Sequence, residues 1–314
     1  MRHFLSIADL TRDQVFELLD LSDALKKEWH HALLEGRRQK ARLDGKTLAM
    51  YFEKPSLRTR CSFEAGMQQL GGFAINLNAS EVGRLGERET ISDVARNLSR
   101  WTQIVQARVF SHESILELAK WCSVPVINGL SDFEHPTQII ADYQTIREQR
   151  GNFEGLRLAW IGDSNNVSHS LMLMACQLGH EMILATPADY APEARIWALC
   201  EKVNPKARQL VKVVRDCKEA VREADVLYTD VWTSMGQEAE SKKREAAFAG
   251  YQINDELVAA APGHAFVLHD LPAKRGKEIT DSVMDGPRCK TFDQAENRMH
   301  AIKAILCWCL EVGF

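Results

Sequence analysis

The chain has 314 residues, enough for two ordinary domains or one large one and for a substantial buried core. Apolar residues make up 45% and charged residues 26%, an ordinary balance for a soluble globular protein, and a net charge of -4 offers no basic surface to nucleic acid or an anionic membrane. Met1 to Ser6 carry no signal-peptide apolar run and no stretch approaches the roughly 20 apolar residues that span a bilayer, so a cytoplasmic location is expected.

In chain order, Thr11 followed by Gln14 resembles a capping box opening a long helix. A buried-strand run covers Thr47–Phe52, a helix follows with Phe63, Met67 and Leu70 at helical spacing, and a strand reads at Phe73–Leu77. Further strands are predicted from Ile104 to Phe110 and over Val124–Ile127, then a helix from His135 to about Gln149 with Ile139, Tyr143 and Ile146 on one face. Arg150-Gly151-Asn152 reads as its end and a short linker. After it come strands at Leu156–Ile161, Met182–Leu184, Gln209–Val211, Val226–Tyr228 and Phe266–Leu268, and one amphipathic helix from Asp293 to the end.

This alternation predicts an α/β chain of two doubly wound domains, each with a central parallel sheet, spanning 1–150 and 151–292 and joined by interdomain helices. The last helix, about 293–314, is expected to pack back onto the first domain. Eight cysteines are scattered without a Cys-x-x-Cys pair, which reads as free, mostly buried thiols and not as a zinc site. The Gly162-Asp163 turn lacks the Gly-x-Gly-x-x-Gly fingerprint, so a dinucleotide is poorly supported, and no cofactor is expected. No metal is expected.

Ligands of open parallel sheets bind beyond the carboxyl ends of the strands, and the polar residues concentrate there. After the first strand comes Glu53-Lys54-Pro55-Ser56-Leu57-Arg58-Thr59-Arg60, where a helix starts at about Thr59. A helix N-terminus with its backbone N–H groups and positive dipole end, two hydroxyls and two guanidinium forks suits a phosphate. The same residues could also form a solvated basic turn with ordinary caps.

That run resembles the Ser-Thr-Arg-Thr-Arg carbamoyl-phosphate motif of the aspartate and ornithine carbamoyltransferase family. The resemblance continues in order along nearly the whole chain: Arg108 at a strand end, Asn128-Gly129-Leu130 to His135-Pro136-Thr137-Gln138, Asp163-Ser164-Asn165-Asn166, Asp230 with Ser234-Met235-Gly236, and Phe292 to Arg298. The Asp-x-x-x-Ser-Met-Gly signature resembles the ornithine branch. The resemblance implies transfer of the carbamoyl group of carbamoyl phosphate to the δ-amine of ornithine, giving citrulline and phosphate as in arginine biosynthesis, and a homotrimer or a multiple of trimers.

It also implies roles. Ser56, Leu57, Arg58, Thr59 and Arg60 would hold the phosphate. Arg108, His135 and Gln138 would donate to the carbamoyl oxygen, with Arg298 beside them, while backbone carbonyls at Asp270 and Leu271 would hold the carbamoyl NH₂. Arg58, Arg108, His135, Asp270 and Arg298 form the catalytic set. Asn166, Asp230, Ser234 and Met235 would bind ornithine, with the Ser234-Met235-Gly236 loop closing over it.

Three departures from the family pattern stand out. Leu57 replaces a threonine, and its side chain is expected to point away from the anion. Asp270 stands where ornithine enzymes read His-Cys-Leu-Pro, and could either bond the δ-amine or alter which amine is preferred. Within Ser80–Arg88, where the family places a loop that reaches a neighbouring subunit, Arg84 could contact the neighbour's phosphate, or the segment could be a mobile surface loop. Two alternatives remain open: a carbamoyltransferase for another amine such as putrescine, and a non-catalytic carbamoyl-phosphate-binding regulatory protein.

Overall fold

A computed structural model of the chain describes residues 1–234 and 236–313. It divides into two compact units, Met1–Gln144 together with the segment from Glu296 onward, and Thr145–Ala295. The helices Pro136–Arg150 and Thr291–Cys309 each run through a point of division.

Among the described residues of the first unit, β1 (Thr47–Phe52), β2 (Phe73–Asn78), β3 (Ile104–Arg108) and β4 (Val126–Leu130) form a parallel sheet in the order β2-β1-β3-β4. In the second, β5 (Arg157–Ile161), β6 (Glu181–Ala185), β7 (Val211–Val214), β8 (Val226–Thr229) and β9 (Phe266–His269) pair in parallel as β7-β6-β5-β8-β9. Each sheet reverses its order of growth once, between β1 and β3 and between β5 and β8. A crevice opens at such a switch point because the helices flanking it leave on opposite faces. The doubly wound α/β class read from the sequence is the one observed.

Near-continuous apolar runs make the central strands, as expected for sheets covered on both faces. Ala49, Tyr51, Val105 and Ala107 pack with Ile91, Leu98, Ile115 and Leu118 in the first unit. Ala159, Ile161, Leu227 and Val267 pack with Val221, Ile253, Leu257 and Val283 in the second. Each fully buried aliphatic side chain contributes about 1.5–3 kcal/mol. The edge strand β2 differs, leaving Phe73 69% and Ile75 46% exposed.

Local signals set several boundaries. Thr11 accepts from Gln14 N–H while the Gln14 side chain accepts from Thr11 N–H, so the capping box opens the helix Arg12–Leu34 as read. Other expectations need correction. Gln209 and Leu210 close a short helix, Ala207–Leu210, and the strand begins only at Val211, where pairing to Met182 decides the register. The helix Pro136–Arg150 was expected to bury one face, yet 136–146 are buried throughout, Asp142, Gln144 and Thr145 included. The last helix begins at Thr291 and is buried all round from Ala301 to Cys309, so it is not amphipathic over that stretch. All eight cysteines are free, with Cys61 exposed and Cys289 half-buried. Among the described residues, no helix is long and apolar enough to cross a membrane.

Candidate active site

The carboxyl ends of β1 and β3 flank the first switch point. Phe52 and Arg108 are register partners there, and Glu53 N–H donates to Arg108 O at 2.9 Å. Beyond β1 the chain turns through Lys54 and Pro55 to Ser56, whose hydroxyl accepts from Thr59 N–H at 3.2 Å and caps the helix Leu57–Gln69. The cap leaves the other amides of the first turn for an anion.

Thr59 gathers the cations. Its Oγ1 accepts from Arg108 Nη1 at 3.2 Å and from Arg298 Nη2 at 3.0 Å, all three side chains being buried. Arg298 Nη1 also donates to Gln138 Oε1, and Gln138 Nε2 donates to Asp142 Oδ1 at 2.7 Å. Thus residues distant in sequence fix one another's orientation in a buried polar cluster. His135 closes it, standing just before the helix Pro136–Arg150, with Nδ1 3.4 Å from Thr137 Oγ1. Burial first, then the charges of Arg298, Arg108 and Arg58, hold His135 well below the usual histidine range, so its ring is neutral at ordinary pH.

Leu57, Arg60 and Arg84 lie apart from this cluster. Leu57 is 72% exposed. Arg60 Nε donates to Glu64 Oε1 at 2.9 Å on the open face of its helix. Arg84 lies over the Phe110 ring at 5.2 Å. Lys54 is a residue that the sequence reading quoted without giving a role. It is buried, its Nζ sits 4.5 Å from the same ring, and burial and then the Arg108 charge lower its pKa. A lysine in a turn carries no burial signal of its own, which is why its sequence context did not single it out.

In the second unit the polar residues again follow the strands at the switch point. After β5, Gly162 takes φ 141, a backbone conformation that an L side chain rarely adopts. Asp163 Oδ2 accepts from Arg244 Nη1 at 2.8 Å, and that guanidinium also donates to Trp232 O at 2.9 Å, so Arg244 ties the end of β5 to the loop after β8. Asn165 caps the helix Asn166–Leu178, accepting from Val167 and Ser168 N–H, and its Nδ2 donates to Asp230 Oδ2 at 2.7 Å. Asn166 Oδ1 accepts from Val167 N–H at 3.1 Å. Asn165 and Arg244 were both missed as positioning residues. An asparagine before a helix was legible as a cap, but its bond to Asp230 spans 65 positions.

Asp230, His269 and Asp270 each bring a potential ligand atom within 4.8 Å of the others. Burial first and then the Asp270 charge push the Asp230 carboxyl well above the usual range, against the lowering effect of bonds from Val231 N–H and Asn165. His269 Nε2 lies 3.1 Å from Glu278 Oε1, and its Nδ1 accepts from Leu271 N–H at 2.9 Å. Both ring nitrogens are therefore engaged, which makes His269 a poor metal ligand and a good brace for the next two residues. Leu271 has φ 62 and precedes a cis peptide bond to Pro272. Ser234 is half-buried, with N–H donating to Gln237 Oε1 at 3.2 Å. Met235 lies outside the described residues.

A cationic cluster thus lies at the strand ends of the first unit and a pair of close carboxylates at those of the second. Comparison with known proteins identifies their setting. Residues 2–148 match the family model described as aspartate/ornithine carbamoyltransferase, carbamoyl-P binding domain, and residues 154–309 match that of the Asp/Orn binding domain. The chain belongs to the aspartate/ornithine carbamoyltransferase family.

Members of that family resemble it over their whole length. Ornithine carbamoyltransferase from Archaeoglobus fulgidus is 51% identical over 306 residues, covering 98% of this chain and 96% of the relative. The protein from Pyrococcus furiosus named ornithine carbamoyltransferase, anabolic, is 45% identical, with 97% and 95% covered. A solved structure of the ornithine carbamoyltransferase from Pyrococcus furiosus superposes with a TM-score of 0.91 at 44% identity, covering 98% of this chain and 96% of that one. The structure of the Campylobacter jejuni anabolic enzyme also gives 0.91, at 36% identity, with 98% and 99% covered.

Proposed function

We propose that this chain transfers the carbamoyl group of carbamoyl phosphate to the δ-amine of L-ornithine, giving L-citrulline and phosphate. The single observation that carries the reading is the division of charge. Thr59, Arg108, Gln138 and Arg298 form one buried cationic cluster beside a helix N-terminus, while Asp230 and Asp270 stand together in the other unit. One suits a dianionic acyl phosphate, the other a diamine. The full-length relatives that bear this name support the same substrates.

In this reading Ser56, Arg58, Thr59 and the backbone N–H of Leu57 hold the phosphate, with Lys54 adding positive charge and Arg60 needing to leave Glu64 to join. Arg108, Gln138 and His135 face the carbamoyl oxygen. With its proton on Nε2 and the Thr137 hydroxyl donating to Nδ1, neutral His135 donates a hydrogen bond without bringing a second full charge. Backbone carbonyls of Asp270 and Leu271 take the carbamoyl NH₂.

Asp230 pairs with the α-ammonium of ornithine, Asn166 bonds its carboxylate, and Ser234 adds a further hydrogen bond. Asp270 attracts the δ-ammonium and takes up its proton, leaving the lone pair for attack. The amine nitrogen then bonds the carbonyl carbon, the oxygen gains negative charge against its donors, and the C–O bond to phosphate breaks as the second amine proton passes to the departing phosphate oxygen. Arg58 and Arg298 stabilise charge on the departing phosphate.

We further infer a trimer. The exposed Phe73, Ile75, Val82 and Trp101 on and beside the edge strand form an apolar surface of the kind that subunits cover, and Arg84 stands in the loop next to it. The deciding experiment gives purified protein carbamoyl phosphate with ornithine, putrescine, acetylornithine or aspartate. Citrulline from ornithine alone supports the reading. Product from another amine transfers the assignment to that amine, and carbamoyl phosphate binding without turnover favours a regulatory protein.

A further inference from the structure

A second cluster of ligating groups lies within the first unit, on the helix that carries Arg298 and on the first α-helix of the chain. His30 comes from the helix Arg12–Leu34, and Glu296 and His300 stand four apart on one face of the helix Thr291–Cys309. Each offers one ligand atom, and these atoms lie within 4.8 Å of one another. His30 Nε2 is 3.0 Å from Glu296 Oε1, and His300 Nε2 is 3.4 Å from the same oxygen. The two imidazoles meet edge to face, with centroids 6.0 Å apart and planes at 87°. Bonds of about 2.0–2.1 Å to nitrogen and oxygen in a tetrahedron place neighbouring ligand atoms about 3.4 Å apart, so only small movements separate this arrangement from a coordination shell.

We propose that His30, Glu296 and His300 bind a divalent transition-metal ion of the zinc class and so staple the last helix to the first. Two imidazoles and one carboxylate suit zinc, nickel or copper, whereas magnesium and calcium prefer oxygen shells. His300 is fully buried and supplies a fixed ligand, while the half-exposed His30 and Glu296 can be reached from solvent and leave a fourth position for water. Lys26, whose Nζ donates to Asn297 Oδ1 at 2.7 Å, opposes the ion, and the buried Lys303 one turn beyond His300 adds to this only while it is protonated. Their repulsion keeps the affinity modest. The cluster was hidden in the sequence because Glu296 and His300 fall in an ordinary helical run, and the third ligand lies 266 positions earlier.

Metal-stripped full-length protein titrated calorimetrically with zinc chloride tests this, alongside His30→Ala and Glu296→Gln. Neither residue belongs to the proposed catalytic set, and carbamoyl transfer serves as the control for folding. Wild type should take up one more equivalent of zinc than His30→Ala, and Glu296→Gln should weaken that site about tenfold or more. Zinc should raise the Tm of wild type more than that of either variant. Equal stoichiometry and affinity in all three proteins would overturn the proposal, since any zinc bound would then belong to cysteines or to the Asp230–Asp270 pair.

Discussion

Asp230 and Asp270 hold carboxylate oxygens within 4.8 Å of each other, and the Asp270 charge is second only to burial in raising the Asp230 pKa. Two like charges so close in a buried place raise the proton affinity of the pair. The Asp230 carboxyl must lose its proton to bind an ammonium, so kcat/KM for ornithine should rise with pH through a value above the usual carboxylate range. Asp270→Cys removes one negative charge while keeping a small polar side chain. Turnover should persist at a reduced rate, with a thiolate taking up the δ-ammonium proton in place of the carboxylate, and the acid limb of the profile should move to lower pH. An acid limb that stays where it was would show that Asp270 does not tune Asp230, and complete inactivity would give Asp270 an indispensable part in the chemistry.

Thr59 is the shared acceptor of two guanidinium groups, so its loss should cost more than an ordinary hydroxyl. Thr59→Val keeps the shape and leaves Arg108 and Arg298 without that oxygen. About 1–3 kcal/mol is at stake, a fall of roughly 5- to 150-fold in kcat/KM. Arg58→Ala should do worse, about 100- to 1,000-fold, and should weaken carbamoyl phosphate binding. Near-normal steady-state kinetics in Arg58→Ala would remove the phosphate assignment.

The sheets were legible because their strands are apolar runs that stop at polar turns, as Thr47–Phe52 stops before Glu53 and Leu156–Ile161 before Gly162. The residues at those turns were legible as chemistry for the same reason. What joined them was not: Arg298 reaches Thr59 across 239 positions and Gln138 across 160, and only the family resemblance set them together beforehand. Burial on all sides of 136–146 was misread because a helix with polar Asp142 and Gln144 looks one-sided in sequence, although inside the fold Gln138 donates to Asp142 and Ser22 donates to Gln144 Oε1. The strand read at Gln209 failed because β propensity cannot see the partner that sets a register. Ser234 to Gly236 was read only through resemblance, since a short polar loop has no periodicity.

Glu278 is a positioning residue in this scheme. It accepts from Lys274 N–H and engages His269 Nε2, and His269 in turn accepts from Leu271 N–H. Glu278→Ala should free the imidazole and loosen the 270–271 backbone. We expect a stability loss of about 1–3 kcal/mol in urea and an ornithine KM raised about tenfold, with carbamoyl phosphate binding also weakened, but less, because the 270–271 carbonyls hold only its NH₂ end. Glu278→Gln, which retains an acceptor oxygen, should recover part of both. A uniform fall in kcat with KM untouched in the alanine variant would point to a purely structural role.

Lys303 gives a stability prediction independent of turnover. The side chain is buried on the last helix, its Nζ donates to Gln39 and Gln69 oxygens at 3.0 Å each, and it lies 5.3 Å from the Trp29 ring. Burial is the main cause that lowers its pKa from 10.5 to about 7. A folded pKa below the unfolded one means that, between about pH 7 and 10.5, the unfolded chain holds a proton that the folded chain has released. Stability from this group therefore rises with pH across that window, by up to about 1.4 kcal/mol per unit. Lys303→Met strands the two glutamine oxygens but removes the titration. The difference in unfolding free energy between wild type and the variant should widen in favour of wild type from pH 7 to pH 9, as measured by urea denaturation. A difference that is flat over this range would mean that the ammonium stays charged in the fold, held by its two amide partners and the indole face.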